Sequence, residues 1–127
     1  MTTVLGKYSD HLYAVLRFIV GASFALHGAQ KLFGILGGMR VPLLSLWGLA
    51  GVIEFFGGIL VAIGLFASVA AFVASGEMAV AFFTTHLPKG FWPILNGGEL
   101  AVLYCFVFLY IAAHGAGICS LDRRMHR

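Results

Sequence analysis

Long apolar runs, interrupted by glycine, proline and a few charges, dominate the pattern along this chain. A helix needs about twenty apolar residues to cross the hydrocarbon core of a bilayer. Four stretches reach that length, at residues 12–33, 46–65, 67–85 and 97–118. A barrel would need shorter, alternating segments and many more of them, so helices are predicted. Ile35–Ser45 carries Gly37, Gly38 and Pro42 and reads as a loop, whereas Leu65–Ser68 leaves almost no connection. The second and third helices should therefore form a tight antiparallel hairpin. His86–Asn96 holds Pro88, Gly90 and Pro93, and its Phe91 and Trp92 suit an interfacial aromatic belt. In the first segment Arg17 interrupts the apolar run and His27 and Lys31 lie near its end, unlike a cleaved signal peptide. The expectation is a single domain over residues 1–127, an all-α integral membrane four-helix bundle.

Composition identifies the solvent. Of 127 residues, 61% are hydrophobic and 10% are charged, against about 25% charged in a typical soluble domain. A core this small cannot bury so much apolar surface, so the lipid bilayer is the expected partner. Disordered, collagen-like and disulfide-scaffold classes are excluded. The formal charge of +3 comes largely from Arg123, Arg124 and Arg127, read here as a membrane flank rather than a nucleic-acid surface. Four spans put both termini on one side. Lys7, Arg123, Arg124 and Arg127 there, against Arg40, Lys89 and Lys31, favour cytoplasmic termini in a multi-pass protein of the cell inner (plasma) membrane. Cys105 and Cys119 on one helix would stand roughly 21 Å apart, too far for a disulfide.

Candidate chemistry lies in the charges inside the spans: Arg17 and Lys31 in the first, Glu54 in the second, Glu77 in the third and Glu99 at the start of the fourth. His27 precedes Lys31 by one turn and His86 ends the third span. A charge at the bilayer centre costs about 2.5–3.5 kcal/mol on insertion scales, so these groups require partners. With the termini inside, Glu54 lies roughly 12 Å below the outer end of its helix, Glu77 slightly deeper, and His27, Lys31, His86 and Glu99 near that end. The expected site is a polar funnel closed from below by Arg17. Either the charges form structural ion pairs that fix helix register, or they make a ligand or proton-handling site. No HxxxH or ExxH pattern places two ligand types on adjacent turns, so no metal is expected. Small residues (Gly21, Ala25, Gly28, Gly51, Gly57, Gly58 and Gly64) would let the helices approach closely.

The segment Arg17-Phe-Ile-Val-Gly21 followed by Leu26-His-Gly-Ala-Gln-Lys31-Leu resembles the first helix of the DoxX family of small four-helix membrane proteins. Further matches are Glu54-Phe-Phe-Gly-Gly58 with Gly64-Leu65, Met78 with His86, Asn96-Gly-Gly-Glu99, Gly115-Ala-Gly117 and Ser120-Leu-Asp122. The family includes the quinone-reducing membrane subunit of thiosulfate:quinone oxidoreductase and members tied to oxidative-stress complexes. The resemblance thus implies a membrane component of a redox system that binds a quinone or similar small molecule. In that reading Glu54, Glu99 and His27 contact or exchange protons with the ligand. Arg17 and Lys31 balance carboxylate charge, and Glu77 and His86 complete the ligand-binding set. Phe55, Phe56, Phe82, Phe83 and Trp47 are expected as apolar walls. Electrons would come from a soluble oxidoreductase partner, since the sequence carries no haem, flavin or iron–sulfur motif; a homo-oligomer is a further partner expectation. Two other classes stay open: a small proton or solute transporter, and a non-catalytic membrane scaffold.

Overall fold

A computed structural model describes residues 2–125, so Arg127, counted above toward the basic flank, lies outside the described residues. Helix α1 spans Ser9–Phe33, α2 Leu46–Ile63 and α3 Ala67–Ala81. The third span continues from α3 through a π-helical turn, Phe82–His86, and a 3-10 turn, Leu87–Lys89. A one-turn helix α4 (Pro93–Asn96) leads into α5 (Glu99–His114), and a short α6 (Leu121–Met125) follows. Three segments, Gly6–Phe33, Leu46–Ile63 and Ala67–Lys89, are long and apolar enough to cross a membrane, and α5 is apolar but shorter. The fold is the expected all-helical bundle of apolar helices.

The boundaries follow from local chemistry. The first helix stops at Gly34, whose left-handed backbone lets its N–H reach the Gln30 carbonyl. Ser45 caps α2 by accepting from the Gly48 N–H at 3.1 Å. Between α2 and α3 only Gly64, Leu65 and Phe66 intervene, so the hairpin is as tight as predicted. The fourth span is the exception. It was expected to run to residue 118, yet α5 ends at His114. Gly115 and Gly117 adopt positive φ, and the chain turns back under the bundle instead of continuing as helix.

Two helix pairs make up the body, α1 against α2 and α3 against α5, joined through the α2–α3 hairpin. The first pair packs backbone to backbone. A Cβ on Gly21 would lie 2.5 Å from the Ala62 nitrogen, and one on Gly58 2.5 Å from the Gly21 carbonyl. Side chains larger than hydrogen would push the helices apart, which is how small residues drive association in lipid. Between the pairs lies the core, where Phe24 of α1 meets Tyr104 and Phe108 of α5 and Ala71, Ala74 and Met78 of α3 complete the cluster.

Most large apolar side chains outside that core face outward, including Phe18, Ile19, Phe56, Phe72 and Phe106. An exposed apolar surface that encircles the bundle is the surface lipid covers. The molecule is a membrane protein.

Candidate functional site

Arg17 is the most constrained charge and stands apart from the carboxylates. It is buried, and all five N–H donors of its guanidinium reach backbone carbonyls. Nε donates to Val61, Nη1 to Ala116 and Ile118, and Nη2 to Ala62 and Cys119, at 2.5 to 3.4 Å. The side chain therefore ties the C-terminal end of α2 to the loop after α5. A cation at a helix C-terminus also meets the negative end of the helix dipole. Arg17 was expected to balance carboxylate charge and contact a ligand; the structure sets it away from the carboxylates, with its five donors on backbone carbonyls.

The same end of the bundle explains several of the sequence motifs. Asp122 accepts from the backbone N–H groups of Phe66 and Ala67 at 2.8 and 2.9 Å, capping α3 from 55 residues away. Its own N–H donates to the Gly64 carbonyl at 2.9 Å. Gly64 has φ of +74°, and a Cβ there would collide with Ser120. The Tyr13 hydroxyl donates to the Gly115 carbonyl at 2.6 Å. Together these bonds form a polar clasp that joins the start of α1, the α2–α3 turn and the residues after α5.

The opposite half of the bundle contains a cavity of about 470 Å³. Its lining takes Phe24, His27 and Lys31 from α1, one face of residues 46–54 from α2, one face of residues 73–81 from α3, Thr84, Thr85 and His86 from the π turn, and Leu100, Ala101 and Tyr104 from α5. Glu54 is almost completely buried, 1% exposed, and pairs with the Lys31 ammonium at 2.5 Å through Oε2. Glu77 lines the same cavity. The second oxygen of Glu54 and Oε1 of Glu77 are buried without any hydrogen-bond partner. Lys31 thus pairs with Glu54 and not with Glu77, and two acceptors remain unmet where desolvation makes an unmet acceptor costly. Lys31 also lies 6.0 Å from the Trp47 ring centroid, a cation–π distance.

Five of the seven predicted site residues meet here: His27, Lys31, Glu54, Glu77 and His86. His27 stands edge-on to Tyr104 at 5.9 Å. His86 is held at the rim by Nδ1 against the Asn96 carbonyl at 3.2 Å. Glu99 is not brought in; it is exposed in the first turn of α5, where a carboxylate favours the helix N-terminus. The walls differ too. Of the five aromatics expected, only Trp47 lines the cavity, where it is joined by the aromatics Phe24 and Tyr104 and by aliphatic side chains. Phe55 instead stacks edge-on with Phe33 and Phe56. The sequence showed Tyr104 and Tyr110 on this helix without saying which faces the core; Tyr104 does, and Tyr110 is exposed. The π turn had no sequence signal, although such turns recur at functional sites.

Asn96-Gly-Gly-Glu99 resolves into a structural turn. Asn96 is buried, donates to the Gly90 carbonyl and accepts from the Gly98 N–H. Gly98 lies so close to His86 and Phe82 that a Cβ would approach both at 2.8 Å. The turn therefore seats the π segment and with it the rim of the cavity. Among the described residues no three His, Cys, Asp or Glu side chains converge in a metal-binding group.

Comparison with known proteins decides the relationship. Residues 12–87, more than half of the chain, match the DoxX family. The chain belongs to the DoxX family. A relative from Haemophilus influenzae, described as an uncharacterized protein, is 44% identical over 133 residues and covers 97% of both chains. No solved structure matches. The DoxX match takes in nearly all of the first three spans, and with them Lys31, Glu54, Glu77 and His86. The turn at Asn96 and the clasp at Ser120–Asp122 lie beyond it.

Proposed function

We propose that this DoxX protein is the membrane component of a redox system and binds a quinone or a similar small cyclic molecule in the cavity between its helices. One observation carries the reading: the buried Glu54 carboxylate, with one oxygen on Lys31 and the other without a hydrogen-bond partner, lines an apolar-walled cavity. The volume of about 470 Å³ falls in the range of about 300–1,000 Å³ typical of small-molecule sites, which combine apolar walls with a few placed polar groups. Exposed Trp47, Leu49, Val80 and Leu100 line it as well, so its wall reaches the lipid-facing surface, as a lipid-soluble ligand requires.

In this reading the open oxygens of Glu54 and Glu77 accept from the ring hydroxyls of the reduced ligand. Oxidation of a hydroquinone releases two electrons and two protons, and reduction of the quinone takes up the same. The two carboxylates are the groups placed to exchange those protons. Lys31 holds one carboxylate charge, and His27 and Tyr104 flank the ring. Electrons pass to or from a soluble oxidoreductase partner. The protein sits in the inner membrane as a multi-pass chain with its clasp end, and both termini, in the cytoplasm.

The test is ligand binding followed by substitution. A soluble short-chain quinone added to the purified protein should raise its melting temperature, and Glu54→Gln should abolish that rise while leaving a folded protein. A melting temperature unmoved by any quinone, in either redox state, contradicts the reading.

A further inference from the structure

A second hollow, of about 610 Å³, lies at the clasp end. Ile63, the last residue of α2, and Leu121 form its apolar side, and Arg123 and Arg124 of α6 its charged side. The floor is fixed and its polar atoms are occupied. The Cys119 carbonyl accepts from Arg17, and the Ser120 hydroxyl donates to the Gly117 carbonyl and accepts from the Arg123 N–H. Asp122, the nearest carboxylate in sequence, spends both oxygens on the α3 N-terminus. Among the described residues neither Arg123 nor Arg124 pairs with a carboxylate. Among the described residues the two guanidinium groups are thus without a carboxylate partner, beside an apolar wall.

We infer that this hollow is a binding site for the headgroup of an anionic phospholipid. A guanidinium pairs with phosphate oxygens through a planar fork of donors, and basic pockets at the membrane surface bind anionic headgroups. Ile63 and Leu121 give the first acyl carbons a surface to lie against, which a free phosphate ion would not use. Because Leu121–Met125 also carries the Asp122 cap, a bound headgroup anchors the clasp itself.

Phosphatidylglycerol titrated into the full-length protein in micelles of a non-ionic detergent tests this, read by melting temperature and by native mass spectrometry. Phosphatidylglycerol should raise the melting temperature and give a lipid adduct, whereas phosphatidylcholine and inorganic phosphate should do neither. Near a membrane surface each arginine contributes about fivefold, so Arg123→Gln with Arg124→Gln should weaken binding about 25-fold. Its melting temperature without lipid should stay that of the wild type. Arg123→Lys with Arg124→Lys should keep most of the affinity, and Arg40→Gln, at the other end, should keep all of it. Equal binding of phosphatidylcholine, an unchanged affinity in the glutamine double variant, or saturation by inorganic phosphate alone would each overturn the inference.

Discussion

Arg17 and Glu54 show how differently two buried charges are used. The guanidinium of Arg17 is fully satisfied by carbonyls, and a sequence reveals side chains but not which helix ends will present their carbonyls to them. Its position as an intramembrane charge was legible; its partners were not. Arg17→Met leaves at least the Ala116, Ile118 and Cys119 carbonyls without donors, a loss on the order of 3 kcal/mol or more at the usual cost of unmet buried groups. The variant should melt well below the wild type, and an unchanged melting temperature would dismiss the clasp as a stabilising element. Glu54 and Lys31 behave as a pair. Lys31→Met alone strands a buried carboxylate and should cost about 3–5 kcal/mol, whereas adding Glu54→Gln should restore most of that loss. Additive destabilisation in the double variant, measured by chemical denaturation, would mean the two do not interact. Glu99 misled because a carboxylate at the start of a helix looks the same in sequence whether it turns inward or outward.

At the level of elements, apolar run length gave the first three spans closely, since length and composition alone decide what lipid can hold. The fourth was drawn four residues too far at its C-terminal end and two too early at its start. The residues after His114 are apolar enough to continue the helix, but Gly115 and Gly117 turn and the carbonyls that follow go to Arg17. Glycine content marked the α1–α2 contact without saying which glycines face it. Gly58 abuts α1, whereas a Cβ on Gly57 would meet nothing within 4 Å. Gly58→Ala should therefore lower the melting temperature sharply, and Gly57→Ala should leave it unchanged or raise it slightly through better helix propensity. Equal effects of the two would remove the case for backbone-to-backbone packing of α1 on α2.

Across the whole molecule the polar groups divide between two ends. One end is a closed clasp in which Arg17, Asp122 and Ser120 meet backbone partners. The other is an open cavity in which Glu54 and Glu77 still lack them. The sequence placed Glu54 and Glu77 below His27, Lys31, His86 and Glu99 in one polar funnel, and all of these except Glu99 line the cavity. Depth follows from counting residues along helices, whereas the split into two ends depends on how the chain closes after α5. Damage to the clasp should cost stability, and damage to the cavity should cost ligand binding with the fold retained. A quinone carrying a photoreactive azide on its ring, irradiated with the protein in lipid nanodiscs, tests the central claim most directly. The account predicts covalent label within residues 46–54 or 73–86, competed away by unmodified quinone and lost in Glu54→Gln. Label confined to the lipid-facing surface or to the clasp end, or undiminished in that variant, would contradict it.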